Sequence, residues 1–333
     1  MADPIRVGLV GYGVAGRCFH APLIEATPGL DLAAIVTSRD MPDGIRRAAV
    51  EDLWSLDLDL VVIAAPNRSH VSLATAALDA GLHVVVDKPL AVTPADAAGL
   101  AERAEADGRV LSVFQNRRWD GDYLTLTDLV GSGVLGRVHR FESRFERWRP
   151  EVVQAWRESQ APEEGGGQLL DLGSHLIDQA LHLFGPARSV YAELASVRKG
   201  AAVEDDVFVA ITHHAGTVSH LWMSAVAAEA GPRMRALGDL AGWSSDGLDT
   251  QETALRAGAR PGDVGFGENP PGTLNGAPYP TRDGDYAAFY AGVVDAVHGN
   301  GPNPVDPWDA VAALRVIEAA RESAASGRVV PTH

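Results

Sequence analysis

The chain has 333 residues, enough for about two domains of common size. With 46% hydrophobic and 22% charged residues, it has the composition of a globular protein with a sizeable core. A formal net charge of −16, from 44 acids and 28 bases, argues against a nucleic-acid partner, and no run approaches the ~18 apolar residues a membrane helix needs.

The N-terminus, Met1-Ala2-Asp3-Pro4, runs straight into a strand pattern, without the basic head and apolar stretch of a secretory signal. Cys18 is the only cysteine, so no intrachain disulfide can form and a reducing compartment is favoured. The expected location is the cytoplasm. The acidic balance mildly favours a neutral substrate, and an anionic cofactor would need local backbone amides and arginines.

Residues 5–116 alternate short apolar runs with helical stretches. Strands are expected at 5–10, 30–36, 58–64, 82–86 and 110–114, and helices at 13–26, 69–80 and 94–107. Pro94 after Thr93 suits a first helical turn, and Gly81 and Gly108 suit helix stops. This alternation predicts an α/β fold with a Rossmann-type, doubly wound parallel sheet in a domain spanning 1–118. From 119 to 333 the pattern shifts to long strands, near 138–148, 189–197, 206–214, 217–226 and 234–241, interrupted by a strong helix at 168–184. The expectation is an α+β domain with a large, mainly antiparallel open sheet, one face of it free to pack. Residues 258–285, rich in Gly, Pro and Asn, read as an irregular loop. Helices at 286–298 and 307–326 close the chain, and the last is a candidate to pack back on the first domain.

Gly11-Tyr12-Gly13-Val14-Ala15-Gly16 follows an apolar strand and opens a helix, the context a dinucleotide turn requires. The first glycine permits the tight turn, the second lets backbone approach a pyrophosphate, and the third lets helix and strand pack closely. At the end of the second strand, Thr37, Ser38 and Arg39 can hold a 2′-phosphate, with Arg46 and Arg47 nearby. They favour NADP over NAD, although Asp40 and a merely solvated polar turn speak for the other side. Asp87-Lys88-Pro89 falls where the fourth strand ends, facing the ligand crevice of such folds. A lysine there can hold a substrate hydroxyl or move a proton, though Lys-Pro is also an ordinary turn.

Gly165-Gly166-Gly167 leads into a helix on which Asp171 and His175, four apart, share one face, with Asp178 and His182 continuing the stripe. A carboxylate beside an imidazole suits general acid/base work, while an ion pair and a metal site are the competing readings. No Cys/His cluster supports a metal.

Taken together, these motifs resemble the Gfo/Idh/MocA oxidoreductase family over essentially the whole chain. The resemblance rests on the Gly-rich turn, Ala65-Pro66-Asn67-Arg68-Ser69-His70, Asp87-Lys88-Pro89, the Gly-rich lead into Asp171 and His175, and the ending Ser323 to Arg328. The branch it most resembles is the NADP-using scyllo-inositol dehydrogenases, through Phe19 to Ile24, Val36 to Asp40, Asn116 to Asp120, Arg149 to Val152, Trp156-Arg157-Glu158 and Asp171 to Gly185. The resemblance implies that Lys88 binds and polarises the reacting oxygen, His175 acts as general base in oxidation and Asp171 assists it. It also points Ala65, Pro66, Asn67, His70, Asp87, Lys88, Asn116, Trp156, Arg157 and Tyr286 at the cofactor or its nicotinamide end. Asp87 departs from the family's more frequent Glu. The expected reaction moves a hydride between NADP and a carbinol or ketone of a neutral polyol or sugar, most specifically scyllo-inositol and its inosose. A homo-oligomer, dimer or tetramer, is expected because an open sheet leaves a face to cover.

Overall fold

The computed structural model describes residues 3–152, 160–161 and 164–332. The chain forms two compact units. One comprises residues 1–120, 250–268 and 283–310, and the other residues 121–249, 269–282 and 311–333. The division therefore does not follow chain order. Segments 250–268 and 283–310, expected beyond the first domain, cluster with it for a local reason. The Gln251 side chain donates to the Trp119 carbonyl and accepts the Tyr286 amide, tying both segments to the end of the first.

The first unit holds six parallel strands: β1 (Ile5–Val10), β2 (Leu30–Val36), β3 (Arg46–Ala48), β4 (Leu60–Ile63), β5 (His83–Asp87) and β6 (Leu111–Phe114). They run in the order β3-β2-β1-β4-β5-β6, a doubly wound sheet with its switch point between β1 and β4. All residues of β4 and β6 are buried, as expected for strands covered on both faces. β3 leaves no apolar signal in the sequence, its three residues being Arg-Arg-Ala; it is paired through its backbone with β2. The expected helix 13–26 is interrupted by a π-helical turn, Gly16–His20, before α-helix resumes at Ala21–Ala26. Pro22 lacks the N–H that would continue an α-helical ladder, and the Ala21 amide reaches back to the Gly16 carbonyl instead.

The second unit is built on a nine-stranded sheet. Its strands are β7 (Val138–Glu146), β8 (Ala187–Ala195), β9 (Asp206–His213), β10 (Val218–Ser224), β11 (Met234–Gly238), β12 (Gly242–Ser245), β13 (Gly272–Leu274), β14 (Ala277–Tyr279) and β15 (Val330–Pro331). All neighbours are antiparallel except β7 and β10. Burial alternates along β9 and β10, so one face is core and the other carries half-buried side chains. The helix Gly173–Phe184 packs against β7 and β10. A helix at Gly121–Gly131 was not anticipated; its Thr and Asp content masked the buried face formed by Tyr123, Leu126 and Leu129. The segment read as irregular, 258–285, contains the β13–β14 hairpin, turned by Asn275 at φ 51° and Gly276. Among the described residues no helix is long and apolar enough to cross a membrane.

Candidate active site

In the first unit, Gly11 leaves β1 at φ 98°, its amide bonded to the Val36 carbonyl at 3.0 Å. A Cβ on Gly11 would overlap the Ala64 carbonyl, and one on Gly16 would overlap the Gly11 carbonyl. Those two glycines are demanded by the chain's own packing. Gly13 differs: nothing lies within 4 Å of where its Cβ would be. That open space over the turn is the cradle a pyrophosphate needs, so Gly11 to Gly16, with Tyr12 buried and Val14 exposed, fit a dinucleotide.

At the end of β2 the Thr37 hydroxyl oxygen accepts the Arg39 amide at 3.0 Å, while Ser38 and Arg39 are exposed. Arg47, from β3, donates to the Thr37 carbonyl at 2.5 Å and the Arg39 carbonyl at 2.9 Å. Its guanidinium therefore braces this loop, and was missed in that role because β3 was not recognised. Ser38 and Arg39 are left exposed at the end of β2.

The carboxyl ends of β4, β5 and β6 carry the remaining candidates. Ala65 and Pro66 lead into a short 3-10 turn, Asn67–Ser69, ahead of the helix His70–Asp79. His70 is 1% exposed. Its Nδ1 lies 2.8 Å from the Pro89 carbonyl oxygen and its Nε2 2.9 Å from that of Ala65. A neutral imidazole can donate to one of these, and both are satisfied together only with a proton on each nitrogen. His70 is thus a strut between the turn after β4 and the turn after β5. In the latter, the Lys88 amide donates to Asp87 Oδ1 at 2.9 Å, and the Lys88–Pro89 peptide is cis.

Beyond β6, Asn116 and Arg117 are each 7% exposed. Arg117 donates to the Tyr286 hydroxyl at 3.0 Å and to Glu252, and the Tyr286 hydroxyl donates to Asp120 at 2.7 Å. Burial opposes the Arg117 charge, but Tyr286, Asp120 and Glu252 outweigh it and hold the guanidinium firmly protonated. Tyr286 is fully buried, its hydroxyl engaged in this cluster. Tyr286, expected at the cofactor, has its hydroxyl engaged with Arg117 and Asp120. Trp156 and Arg157 lie outside the described residues.

In the second unit, Asp171 and His175 stand one turn apart on consecutive helices, Gln168–Asp171 and Gly173–Phe184, separated by Leu172. The single helix expected here is thus two. The first is capped by Glu204, whose carboxylate accepts the Leu169 amide at 3.2 Å and whose carbonyl accepts that of Gln168 at 3.3 Å. Burial pushes the Glu204 carboxyl up, the amide contacts only partly offsetting it. Gly167, at φ 98°, admits this cap, because a Cβ there would strike the Glu204 carboxylate. Nothing local in the sequence links position 204 to 167. His175 is 6% exposed, its ring 6.4 Å from that of Phe145. Arg233 lies 4.2 Å over the Phe145 ring and donates to Ser143 at 2.5 Å and to Gln179 at 3.3 Å. A buried cation thus sits one ring away from His175. Asp178 is buried, whereas His182 is exposed and bonded to the Tyr123 hydroxyl at 2.7 Å, so the stripe divides.

Residues 5–115 match the oxidoreductase family's NAD-binding Rossmann fold, and residues 127–332 its C-terminal alpha/beta domain. The chain belongs to the Gfo/Idh/MocA oxidoreductase family. It is 42% identical to the uncharacterized oxidoreductase YdgJ of Escherichia coli over 340 residues, covering 97% of each chain. It is 33% identical to IolW of Bacillus subtilis, a scyllo-inositol 2-dehydrogenase (NADP(+)), over 98% of this chain and 96% of that one. The solved structure of YPO2259 from Yersinia pestis superposes with a TM-score of 0.93 at 40% identity, covering 100% of this chain and 98% of that one. The protein is accordingly an oxidoreductase with an NAD(P)-binding Rossmann domain.

Proposed function

We propose that this oxidoreductase uses NADP to interconvert a carbinol and a ketone on a neutral cyclic polyol, with scyllo-inositol and its inosose the leading pair, in the cytoplasm. The observation that carries the proposal is the shared edge. The open Gly13 cradle, exposed Ser38 and Arg39, and Lys88 all stand at carboxyl ends of strands in one parallel sheet, the edge at which such sheets bind ligands. Ser38 and Arg39 would take the 2′-phosphate, the amides from Gly11 to Gly16 the pyrophosphate, and Ala65 to Asn67, Asp87 and Asn116 would border the nicotinamide end. The name of IolW supports both the cofactor and the substrate class.

The bound nicotinamide would supply or accept the hydride. In oxidation, the Lys88 ammonium would hold the substrate oxygen and stabilise the charge that grows on it as the O–H bond breaks. His175 would take the hydroxyl proton, with Asp171 orienting the imidazole and stabilising its charged form. In reduction His175 would return that proton to the oxygen. The neutral substrate matches the strongly acidic chain. The half-buried face of β9 and β10 supports self-association: the Phe208 and Trp222 rings lie 5.2 Å apart and tilted, and Arg144 lies 4.0 Å over Trp222. Sedimentation showing only monomer at micromolar concentration would end that part.

The test is an initial-rate panel of scyllo-inositol, myo-inositol and glucose, each with NAD and with NADP. The expected result is turnover of an inositol with NADP. Turnover of glucose alone would move the substrate to another pyranose, and preference for NAD would reverse the cofactor assignment. Tight NADP binding without turnover of any polyol would favour a binding protein over an enzyme of this substrate class.

A further inference from the structure

His20 is wholly buried and has no part in the reaction just described. The π-helical turn Gly16–His20 ends on it, and single π turns often mark functional positions. Its Nδ1 lies 2.6 Å from the Tyr290 hydroxyl, its ring centroid 4.4 Å from that of Phe114, and its Nε2 4.0 Å from Asp87 Oδ1. Nε2 is buried and makes no hydrogen bond.

The tautomer follows from what faces the ring. Burial, with Asp87 adding to it, holds the Tyr290 hydroxyl well above its ordinary range, so it keeps its proton and can donate it to Nδ1. Nε2 then carries the imidazole proton and aims it at the Asp87 carboxylate. The opposite tautomer would turn a lone pair toward that carboxylate. Asp87 reaches the ring from β5, His70 from its helix, Tyr290 from the helix Ala287–Val297 and Phe114 from β6. Burial first, and His70 beside it, keep His20 uncharged, with Asp87 opposing them only in part.

We propose that His20 is a positioning residue for Lys88: Tyr290 fixes its tautomer, its Nε2–H holds the Asp87 carboxylate, and Asp87, bonded to the Lys88 amide, sets the turn that aims the lysine. The 4.0 Å separation must close for this hydrogen bond to form, and contacts of this kind often tighten only when the site is loaded. The proposal rests on the assignment of Lys88 to the reacting oxygen, and its test separates the two.

Nitrogen-15 spectra of the histidine-labelled wild-type protein, with the His20 signal identified through Tyr290→Phe, should show Nε2 protonated and Nδ1 accepting. An Nδ1-protonated ring overturns the proposal whatever the kinetics. In the NADP-loaded enzyme, His20→Gln should lower kcat on the order of tenfold, and Tyr290→Phe less, with NADP affinity within about twofold of wild type. Wild-type kcat in both variants, with kcat lost in Lys88→Ala, overturns the role of His20 and leaves Lys88 standing. Retention of kcat by Lys88→Ala overturns both. Should His20→Gln fail to fold, Tyr290→Phe and the wild-type spectra decide.

Discussion

His20 makes a quantitative prediction about acid stability. Burial pushes its pKa from 6.5 down to about 4, with Asp87 opposing and His70 assisting. In the unfolded chain the imidazole takes a proton near its ordinary pKa, whereas the folded protein refuses it until about pH 4. Stability from this group is therefore complete above about pH 6.5 and is lost as pH falls toward 4, at up to ~1.4 kcal/mol per pH unit. Integrated between pH 7 and pH 4.5, the loss is about 2 kcal/mol. His83, His213 and His220 are also pushed down, mainly by burial, so the wild-type slope is steeper than His20 alone requires. The difference between wild type and His20→Gln isolates the one ring. Urea unfolding followed by tryptophan fluorescence at the two pH values measures it, and the variant should lose about 2 kcal/mol less than wild type on acidification. Equal losses in the two proteins would refute the claim that this imidazole is buried and neutral.

The glycines of the dinucleotide turn separate folding from binding. Gly13→Ala should keep the melting temperature, because its Cβ meets nothing within 4 Å, yet weaken NADP at least about tenfold by entering the pyrophosphate's space. Gly16→Ala should lose thermal stability itself, since its Cβ would strike the Gly11 carbonyl. Calorimetry and NADP titration on the two variants check the contrast, and equal behaviour would contradict it. Arg47→Ala, which removes the brace on the Thr37 and Arg39 carbonyls, should lower the NADP-to-NAD ratio of kcat/KM on the order of tenfold. An unchanged ratio would show that Ser38 and Arg39 need no support from β3.

The parallel sheet was legible because strands covered on both faces are written as unbroken apolar runs, such as Leu60–Ile63 and Val84–Val86. The π turn was not legible, since a 3.6-residue period and a one-residue insertion look alike over five positions; Pro22 was its one local mark. Motif spacing singled out the Gly11 turn, Lys88, Asp171 and His175 as candidates. It did not show that His70 and Tyr286 are engaged by the protein itself, because a buried, hydrogen-bonded side chain and a ligand-facing one are the same letter. Long-range supports such as Glu204 beneath Gly167, or Arg117 with Tyr286 and Glu252, join positions far apart in the chain and leave no periodic trace.

On the proposed assignment, Lys88 holds the reacting oxygen and the Rossmann unit binds NADP without it. The most direct measurement is kcat and NADP affinity of Lys88→Ala beside wild type, on whichever inositol the wild type turns over. In Lys88→Ala, kcat should fall about a hundred- to a thousandfold while the NADP dissociation constant stays within about threefold. Wild-type turnover in Lys88→Ala would contradict the assignment.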